Sequence, residues 1–364
     1  MNILFFLSEH NYGLTSLLVG QAIPFNKIKG VDFTFVSGTS EKEPGLFQKL
    51  TQNNVELLKI DGLEFHSDFK RLVNELILVI DLKKPDLIHV QTNWQLALIA
   101  YIKTFSNKKF KIIYTIHGFR HNHKIKSIFA RLIIGSALKI FASKVIACSS
   151  YTKNKFKLLS SKIDLLFLGV DNNFFNKKNN SDFKIEGKIN MIFPGDFRKG
   201  KNQELLISSL AKYLNSFPSE DIYLVLPGEG AYKAKCIELA KNLGISDNVL
   251  FPGFLIKEEI INEINHSSIA IIPTNSETFG LCISEPFSSG RCVISRNVGV
   301  ASDILRNGEN GFIFNKDAEL YPILNNVLSN RNLIRNCGNN AFLERMIFNW
   351  DNISNQYYNI VKLY

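Results

Sequence analysis

The chain has 364 residues, of which 45% are hydrophobic and 21% are charged, and its formal net charge is +10. These proportions are ordinary for a folded protein and exclude a disordered or fibrous chain, while the length suits two domains of roughly 180 residues each. No apolar run reaches the ~18 residues that a transmembrane helix requires, so the sequence predicts no membrane-spanning segment.

Positive charge is concentrated in the first half of the chain. Residues 1–180 contain 25 Lys and Arg against 13 Asp and Glu, whereas residues 181–364 contain 18 against 20. No acidic residue lies between Asp86 and Asp164, a stretch that holds 14 Lys and Arg. A solvated basic face, nucleic-acid binding and contact with an anionic membrane all produce such a pattern.

Nucleic acid is the least favoured of these partners, because no aromatic residues are interleaved with the cations. We favour an anionic membrane surface, or an acceptor that carries a lipid-linked pyrophosphate. Residues 124–144 combine apolar residues with recurring cations in a helical pattern. The sequence predicts that this helix either docks on a membrane surface or packs on the sheet.

Short β-branched runs alternate with helix-length segments along the first half, which predicts parallel strands joined by right-handed crossovers. The first run has neither a basic segment nor a small-residue cleavage site, so it is predicted to be a strand and not a signal peptide. The predicted strands are Ile3–Leu7, Asp32–Val36, Leu87–Val90, Lys111–Ile116, Lys144–Cys148 and Leu165–Leu168. The predicted helices are Leu14–Ile28, Asp68–Leu82, Trp94–Phe105 and Lys124–Phe141.

A polar stretch rich in Asn and Lys, Asn172–Lys188, is the best candidate for a linker between domains. A second series of strands and helices then runs from Met191 to about Phe342. The last segment, Trp350–Tyr364, has apolar residues at helical spacing. We therefore predict an α/β protein with two doubly wound Rossmann-like domains, at 1–175 and 188–345, and a C-terminal helix within 346–364.

The five cysteines are scattered and include no Cys-x-x-Cys pair. This distribution predicts a reducing compartment, the cytoplasm, with neither a zinc site nor disulfides.

Two glutamates mark the most informative segment of the second half. Glu277 and Glu285 lie eight positions apart, the first in a loop after the apolar run Ser268–Pro273 and the second in a helix predicted from about Leu281. The N–H groups at a helix start bind anions such as phosphate, whereas carboxylates accept hydrogen bonds from hydroxyl groups. Phosphate between two hydroxyl-bearing groups describes a nucleotide sugar, which is therefore the predicted ligand.

This segment resembles the paired-glutamate motif of retaining glycosyltransferases of family four, which have the two-domain GT-B fold. Six further sequence blocks, in the same order as in that family, extend the resemblance over nearly the whole chain. They are Tyr114–Phe119, Val145–Thr152, Asn190–Gly195 with Lys201–Ile207, Leu224–Gly230, Val249–Phe254, and Asn297–Ile304 with Asn307–Phe312.

The resemblance implies two domains that face each other across a cleft, with a C-terminal helix that crosses back to the first domain. It implies a retaining, hexosyltransferase-type enzyme that moves a sugar from a nucleotide diphosphate, favouring UDP, to a glycan or lipid-linked acceptor. Bacterial surface polysaccharide or lipopolysaccharide synthesis is the implied pathway, at the cytoplasmic face of the plasma membrane. No cofactor is implied, and the lack of any Asp-x-Asp sequence predicts metal independence.

The resemblance also assigns roles to residues of the second half. Glu277 is expected to bind hydroxyls of the transferred sugar, and Glu285 the ribose. Lys201 and Arg198 are expected to contact the diphosphate, although Asp196 occupies the position where the family has its arginine. The remaining donor-binding residues implied for this domain are Gly228, Phe254, Thr278, Phe279, Gly280 and Leu281.

In the first half, the resemblance implies that His117 faces the donor sugar at the end of a strand. Gly13 corresponds to a glycine of the family's first loop, near the donor phosphate or the acceptor, although such a glycine can also serve only the turn. His89 ends another predicted strand and is expected either in the sheet core or beside the acceptor.

Other activities are weighed against sugar transfer. The sequence lacks a Gly-x-x-x-x-Gly-Lys-Ser/Thr loop, and Gly228–Gly230 lacks the third glycine of a dinucleotide fingerprint, so kinase and dehydrogenase functions are disfavoured. The alternatives that stay open are another activity on the same fold, such as a phosphorylase or nucleotide-sugar epimerase, and a non-catalytic glycan- or membrane-binding component of a polysaccharide complex.

Overall fold

A computed structural model describes residues 1–7, 20–39, 45–63, 68–117, 135–157, 163–175 and 188–363. Gly13, residues 124–134 of the predicted basic helix and residues 176–187 of the predicted linker lie outside these ranges. The chain divides into two compact units: Met1–Gly169 with Trp350–Tyr364, and Val170–Asn349.

The described part of the first unit contains a parallel sheet of seven strands in the order β3-β2-β1-β4-β5-β6-β7. Its strands are β1 Asn2–Phe6, β2 Asp32–Ser37, β3 Leu57–Lys59, β4 Leu87–Val90, β5 Lys111–Ile116, β6 Lys144–Ala147 and β7 Ile163–Leu165. Its helices are 20–25, Leu46–Gln52, Phe69–Lys83, Asn93–Phe105, 135–141, Ser150–Phe156 and Trp350–Val361. The apolar runs of β1, β4 and β5 are buried on both faces because helices cover the sheet.

The described part of the second unit contains a parallel sheet of six strands in the order β10-β9-β8-β11-β12-β13. Its strands are β8 Ile189–Ile192, β9 Ile222–Pro227, β10 Val249–Gly253, β11 Ile269–Ile272, β12 Cys292–Arg296 and β13 Gly311–Phe314. Its helices are Gln203–Ser216, Lys233–Asn242, Lys257–His266, Leu281–Ser288, Ala301–Ile304, Asp317–Ser329 and Arg331–Glu344. Short 3₁₀ turns occur at Asn172–Phe175, Ser246–Asn248 and Arg345–Phe348.

The order of strands reverses at β1 and β4 in the first sheet and at β8 and β11 in the second. In doubly wound sheets, ligands bind outside the carboxyl ends of strands at such a switch point. The predicted α/β architecture with two such sheets is therefore confirmed, and it places the loops after β8 and β11 next to each other.

The C-terminal helix Trp350–Val361 belongs to the first unit, as the resemblance implies. Its Tyr357 is buried and its hydroxyl lies 2.9 Å from Nδ1 of His89, while Nε2 of His89 lies 2.7 Å from the Thr115 hydroxyl. Burial, with a smaller effect from His117, lowers the pKa of His89 to about 3. Of the two positions expected for His89, the sheet core is correct, and that beside the acceptor is wrong.

Trp350, at the start of the same helix, packs where Gly169 leaves room for its ring. A Cβ atom on Gly169 would lie 2.2 Å from Cδ2 of the indole, so this position requires glycine for close packing. The apolar spacing that predicts the helix from sequence thus corresponds to buried residues at Trp350, Ile353, Tyr357 and Val361.

Most predicted boundaries agree with the structure to within one residue, and three parts of the chain differ more clearly. The edge strand β3 is only three residues long and was not predicted, since so short a run carries little periodicity. The strand predicted at Leu165–Leu168 lies instead at Ile163–Leu165, which is β7. Its pairing with β6 runs from Ile163, opposite Val145, to Leu165, opposite Ala147. Residues 170–175, predicted to end the first domain and begin the linker, group with the second unit, where Phe174 is buried.

Candidate functional site

Lys201 and Glu277 meet at the carboxyl ends of two neighbouring strands. Lys201 is in the loop after β8, Glu277 is in the loop after β11, and the two strands pair side by side. Lys201 Nζ lies 2.6 Å from Glu277 Oε1, and the side chains are 11% and 17% exposed. The two residues were assigned separate roles from sequence, and only the fold brings them into one ion pair.

Backbone and amide hydrogen bonds hold the two loops together. The Asn275 N–H donates to the Gly200 carbonyl at 2.8 Å, and the Thr274 hydroxyl donates to the same carbonyl at 3.2 Å. In the opposite direction, the Asn202 side-chain amide donates to the Pro273 carbonyl at 3.2 Å and to Asn275 Oδ1 at 2.7 Å. The ion pair therefore stands on two loops whose separation is set by neighbouring residues.

The ammonium of Lys201 is stabilised in its charged form despite burial. Burial by itself lowers the pKa of Lys201, and the charge of Arg198 lowers it further, but the thiolate that Cys282 forms at high pH and the Glu277 carboxylate outweigh both and raise it above its usual value. Burial, with the Glu277 carboxylate, raises the pKa of the Cys282 thiol well above its usual value. Lys201 is thus a cation and Cys282 a neutral thiol near pH 7.

The helix Leu281–Ser288 begins immediately beside this pair. Gly280 precedes it with a φ of 91°, a left-handed conformation that favours glycine. Burial of Phe279 and a 2.7 Å hydrogen bond from the Val300 N–H to the Phe279 carbonyl fix the turn. The first N–H groups of a helix have no acceptor within the helix, so this end can bind an anion.

Gly299 supports the same turn from the next loop. A Cβ atom on Gly299 would lie 2.2 Å from the Phe279 carbonyl oxygen and 3.1 Å from the Glu277 Cβ atom, and its φ is 56°. Any side chain here would displace the residues between the two glutamates. Gly299 lies in a block that resembles the family, but it was not singled out from sequence, because a single glycine carries little information.

Glu285 occupies the fifth position of the helix and is half-buried. Burial raises its pKa to about 8, while Lys257 lowers the pKa and Asp171 raises it. Within the described parts of the chain, no group donates a hydrogen bond to its carboxylate. Its two oxygens can therefore accept hydrogen bonds from hydroxyls of a ligand.

Gly228 and Phe254 follow β9 and β10 at the same edge of the sheet. A Cβ atom on Gly228 would lie 2.3 Å from the Gly195 carbonyl oxygen, and the Gly228 N–H donates to the Gly253 carbonyl at 2.7 Å. Phe254 is 60% exposed. Glycine at 228 thus allows the loops after β8 and β9 to approach, and Phe254 offers an exposed ring at this edge.

Arg198 and Asp196 are both exposed in the loop that leads to Lys201. The Arg198 N–H donates to the Asp196 carbonyl at 3.1 Å, and the Lys201 N–H donates to the Arg198 carbonyl at 3.0 Å. The tight turn brings the Arg198 charge close enough to affect Lys201. Contact between Arg198 and a diphosphate stays a prediction, as do the donor contacts of Thr278 and Leu281.

His117 lies at the carboxyl end of β5 in the first unit. Its Nε2 lies 2.5 Å from Oε1 of Gln91, which directly follows the neighbouring strand β4, so this nitrogen is the donor. Burial lowers the pKa of His117 to about 4. The imidazole is therefore neutral near pH 7, with its orientation fixed by Gln91, a residue that sequence reasoning did not single out.

The described residues include no group of three or more His, Cys, Asp or Glu side chains arranged to hold a metal ion. In the same parts of the chain, no helix combines the length and hydrophobicity needed to cross a membrane.

Two family models match adjoining stretches of this chain. The model described as Glycosyltransferase Family 4 matches residues 28–174, and the model described as Glycosyl transferases group 1 matches residues 174–343. The second match includes Lys201, Glu277 and Glu285, whereas the first includes Gln91 and His117.

Similar proteins include the O-antigen biosynthesis glycosyltransferase WclY of Escherichia coli, which is 25% identical over 276 residues, 72% of this chain and 71% of that protein. The N-acetyl-alpha-D-glucosaminyl L-malate synthase of Bacillus anthracis is 24% identical over 255 residues, 66% of this chain and 64% of that protein.

Among solved structures, HepE of Anabaena in complex with UDP and glucose has a TM-score of 0.79 at 19% identity, with 100% of both chains covered. The lipopolysaccharide outer core galactosyltransferase WaaB has a TM-score of 0.74 at 16% identity, over 98% of this chain and 100% of that chain. At these identities the likeness establishes the fold, which is that of the GT-B glycosyltransferases.

Proposed function

This chain belongs to glycosyltransferase family four, and from that membership we propose that it is a retaining, metal-independent transferase that uses a UDP-hexose. The observation that carries the proposal is the Lys201–Glu277 ion pair beside the N-terminus of the helix Leu281–Ser288. It combines a cation from the loop after β8 with a carboxylate and a helix N-terminus from the loop after β11, which suits a sugar linked to a diphosphate.

In this proposal, Lys201 and the helix N-terminus stabilise the negative charge that develops on the departing nucleoside diphosphate. Fixed charges and oriented N–H groups are most effective where charge builds up in the transition state. Arg198 is close enough to act on Lys201 and would add to the same field. These positive groups fulfil the role that a divalent ion has in other transferases, which is why we propose metal independence.

Glu277 positions the transferred sugar through its hydroxyls, and Glu285 accepts hydrogen bonds from the ribose. Double displacement would need two carboxyl groups about 5–5.5 Å apart across the scissile bond, but Glu277 is engaged by Lys201 and Glu285 is assigned to the ribose. We therefore favour attack on the same face from which the diphosphate leaves, with the leaving phosphate accepting the acceptor's proton. The contact with the donor sugar that the resemblance implies for His117 stays a prediction.

The acceptor is proposed to be a glycan or a lipid-linked saccharide of a bacterial surface polysaccharide. Support comes from relatives such as WclY, whose name refers to O-antigen biosynthesis, and from HepE, which was solved with UDP and glucose.

A panel of nucleotide sugars tests the donor without knowledge of the acceptor. A UDP-hexose at 100 times its Kd is expected to stabilise the protein by about 2.7 kcal/mol in thermal unfolding, and UDP release with a matching acceptor should be unaffected by EDTA. NMR of the product should show the donor's anomeric configuration. A product with the inverted anomeric configuration would refute retention. Cleavage that depends on added phosphate would indicate a phosphorylase, and conversion of the free UDP-sugar into another sugar would indicate an epimerase. Binding of the donor without turnover would indicate a non-catalytic component.

We also propose that the enzyme works at the cytoplasmic face of the plasma membrane, on anionic lipid. The supporting observation is the excess of cations over residues 1–180. The protein is expected to co-sediment with phosphatidylglycerol vesicles and to be released as salt rises, since each cation near the surface contributes about 1 kcal/mol. Equal binding to phosphatidylcholine vesicles would contradict an electrostatic membrane contact.

A further inference from the structure

An ion pair from two distant segments lies beside the proposed ribose carboxylate. Lys257 is the first residue of the helix Lys257–His266, and its Nζ lies 2.5 Å from Oδ2 of Asp171. Asp171 directly precedes the turn Asn172–Phe175, and its Oδ1 accepts a hydrogen bond from the Asn173 N–H at 2.9 Å. Asp171 is therefore fixed by the turn, and it in turn anchors the Lys257 ammonium.

The turn packs against the helix that carries Glu285. Phe174 is buried, and its carbonyl accepts a 3.1 Å hydrogen bond from the hydroxyl of Ser289, the residue that caps the helix. This hydrogen bond joins the turn that begins after Asp171 to the helix that carries Glu285, and the ion pair with Asp171 brings the Lys257 ammonium to the same turn. Lys257 favours the carboxylate form, whereas Asp171 favours the protonated form.

The other titratable groups on or around this helix are engaged elsewhere. On the helix itself, Cys282 interacts mainly with Glu277 and Lys201. Among the described residues of the elements that pack against the helix, the remaining titratable groups interact with other partners. These are Cys292 with Cys337, Arg296 with Asp317, Arg331 with Glu220, Glu344 with Arg306, and Arg345 with the Phe342 carbonyl. Arg335, on the helix Arg331–Glu344, is exposed to solvent.

We propose that Lys257 and Asp171 are positioning residues of the donor site, which act on Glu285 through their opposite charges and so control how tightly the nucleotide's ribose is held. This inference rests on the proposed function, because it takes Glu285 as the ribose-binding group. An ionised carboxylate accepts hydrogen bonds from both ribose hydroxyls, whereas a protonated one loses part of that capacity. Donor binding therefore strengthens as pH rises through the pKa of Glu285.

The two partners of the pair predict opposite outcomes, which a purely structural ion pair does not. Lys257→Met removes the positive charge that favours ionised Glu285, so kcat/KM for the donor should fall about tenfold at pH 7. The increase of kcat/KM with pH should then occur at higher pH than in the wild type. Asp171→Asn removes the opposing charge but keeps the Oδ1 that accepts from Asn173. It should raise kcat/KM about threefold at pH 7 and move the rise to lower pH.

The measurement is kcat/KM for the UDP-sugar between pH 5.5 and 9.5, with kcat recorded separately at saturating donor. Lys257→Arg retains the charge and should leave the profile in place, which separates charge from folding. Lys235→Met is the matched control, because Lys235 forms a comparable 2.7 Å ion pair with Glu204 but is exposed, lies on the helix Lys233–Asn242 and does not affect the pKa of Glu285. If both variants of the pair moved the profile in the same direction, or neither moved it, the inference would be overturned.

A second readout keeps this inference distinct from the proposed function. The carboxyl carbon of Glu285, labelled with ¹³C and assigned by its loss in Glu285→Gln, should titrate at higher pH in Lys257→Met and at lower pH in Asp171→Asn. These shifts require no substrate. If they occurred while no nucleotide sugar bound, the proposed function would fail and the electrostatic control of Glu285 would stand; unchanged titration in both variants would reject the control itself.

Discussion

Replacing Glu277 by alanine is expected to lower the rate of sugar transfer by on the order of 10²–10³-fold, with the second unit still folded. The carboxylate is held 2.6 Å from Lys201 and is 17% exposed, so its position is set before substrate binds. The loss should appear in kcat at saturating donor, because an oriented carboxylate acts mainly on the reacting sugar. Product formation with a matched UDP-sugar and acceptor measures it.

Two further variants separate the charge of Glu277 from its shape. Glu277→Gln retains the size of the side chain and an acceptor for Lys201, but loses the charge-assisted hydrogen bonds that are about twice as strong as neutral ones. It should therefore also lose most of the activity. Glu238→Ala, which removes an exposed carboxylate from the helix Lys233–Asn242, serves as the control and should be fully active. Near wild-type transfer by Glu277→Ala would remove Glu277 from the site.

Lys201→Met is expected to reduce kcat/KM for the donor by about 10²-fold, since it removes a cation from the developing charge of the leaving diphosphate. Methionine preserves much of the buried stem, so the change is largely one of charge. The variant should also unfold more easily, by about 1–3 kcal/mol, because Glu277 is left poorly solvated and without its partner. Steady-state kinetics and denaturant unfolding measure the two effects.

The double variant Lys201→Met with Glu277→Gln tests whether the residues act as a pair. The double variant should lose less stability than the sum of the two single losses, by about 0.5 kcal/mol or more, as is usual for residues in direct contact. The pKa of Lys201 is raised in the folded protein, so the stability contributed by its ion pair with Glu277 is fully present below the ordinary lysine pKa. That contribution is lost as the pH rises through the pKa of Lys201 in the folded protein. Strictly additive losses of stability in the double variant would contradict a specific pair. So would a loss of stability in Lys235→Met as large as that in Lys201→Met.

The sequence allowed most of the architecture to be predicted because buried parallel strands and their covering helices have distinct periodicities. The helix that begins at Leu281 and the terminal helix with Trp350 and Tyr357 are examples, since apolar spacing and a preceding glycine or loop are local properties. The Glu277 and Glu285 motif was likewise visible, because both residues belong to one short segment whose spacing resembles that of a family.

Contacts between distant segments could not be predicted in the same way. The pairing of β8 with β11 brings Lys201 to Glu277 across 76 positions, and the turn after Asp171 brings that residue and Lys257 to Glu285. His89 lies in the core and His117 binds Gln91 only because β4 and β5 are neighbours. Local sequence therefore specified which helices and strands form and which residue types end them. The order of strands in the folded sheets decided which of those ends meet. The burial and the charge environment of a residue depend on neighbours that are distant in sequence, and local sequence does not identify them.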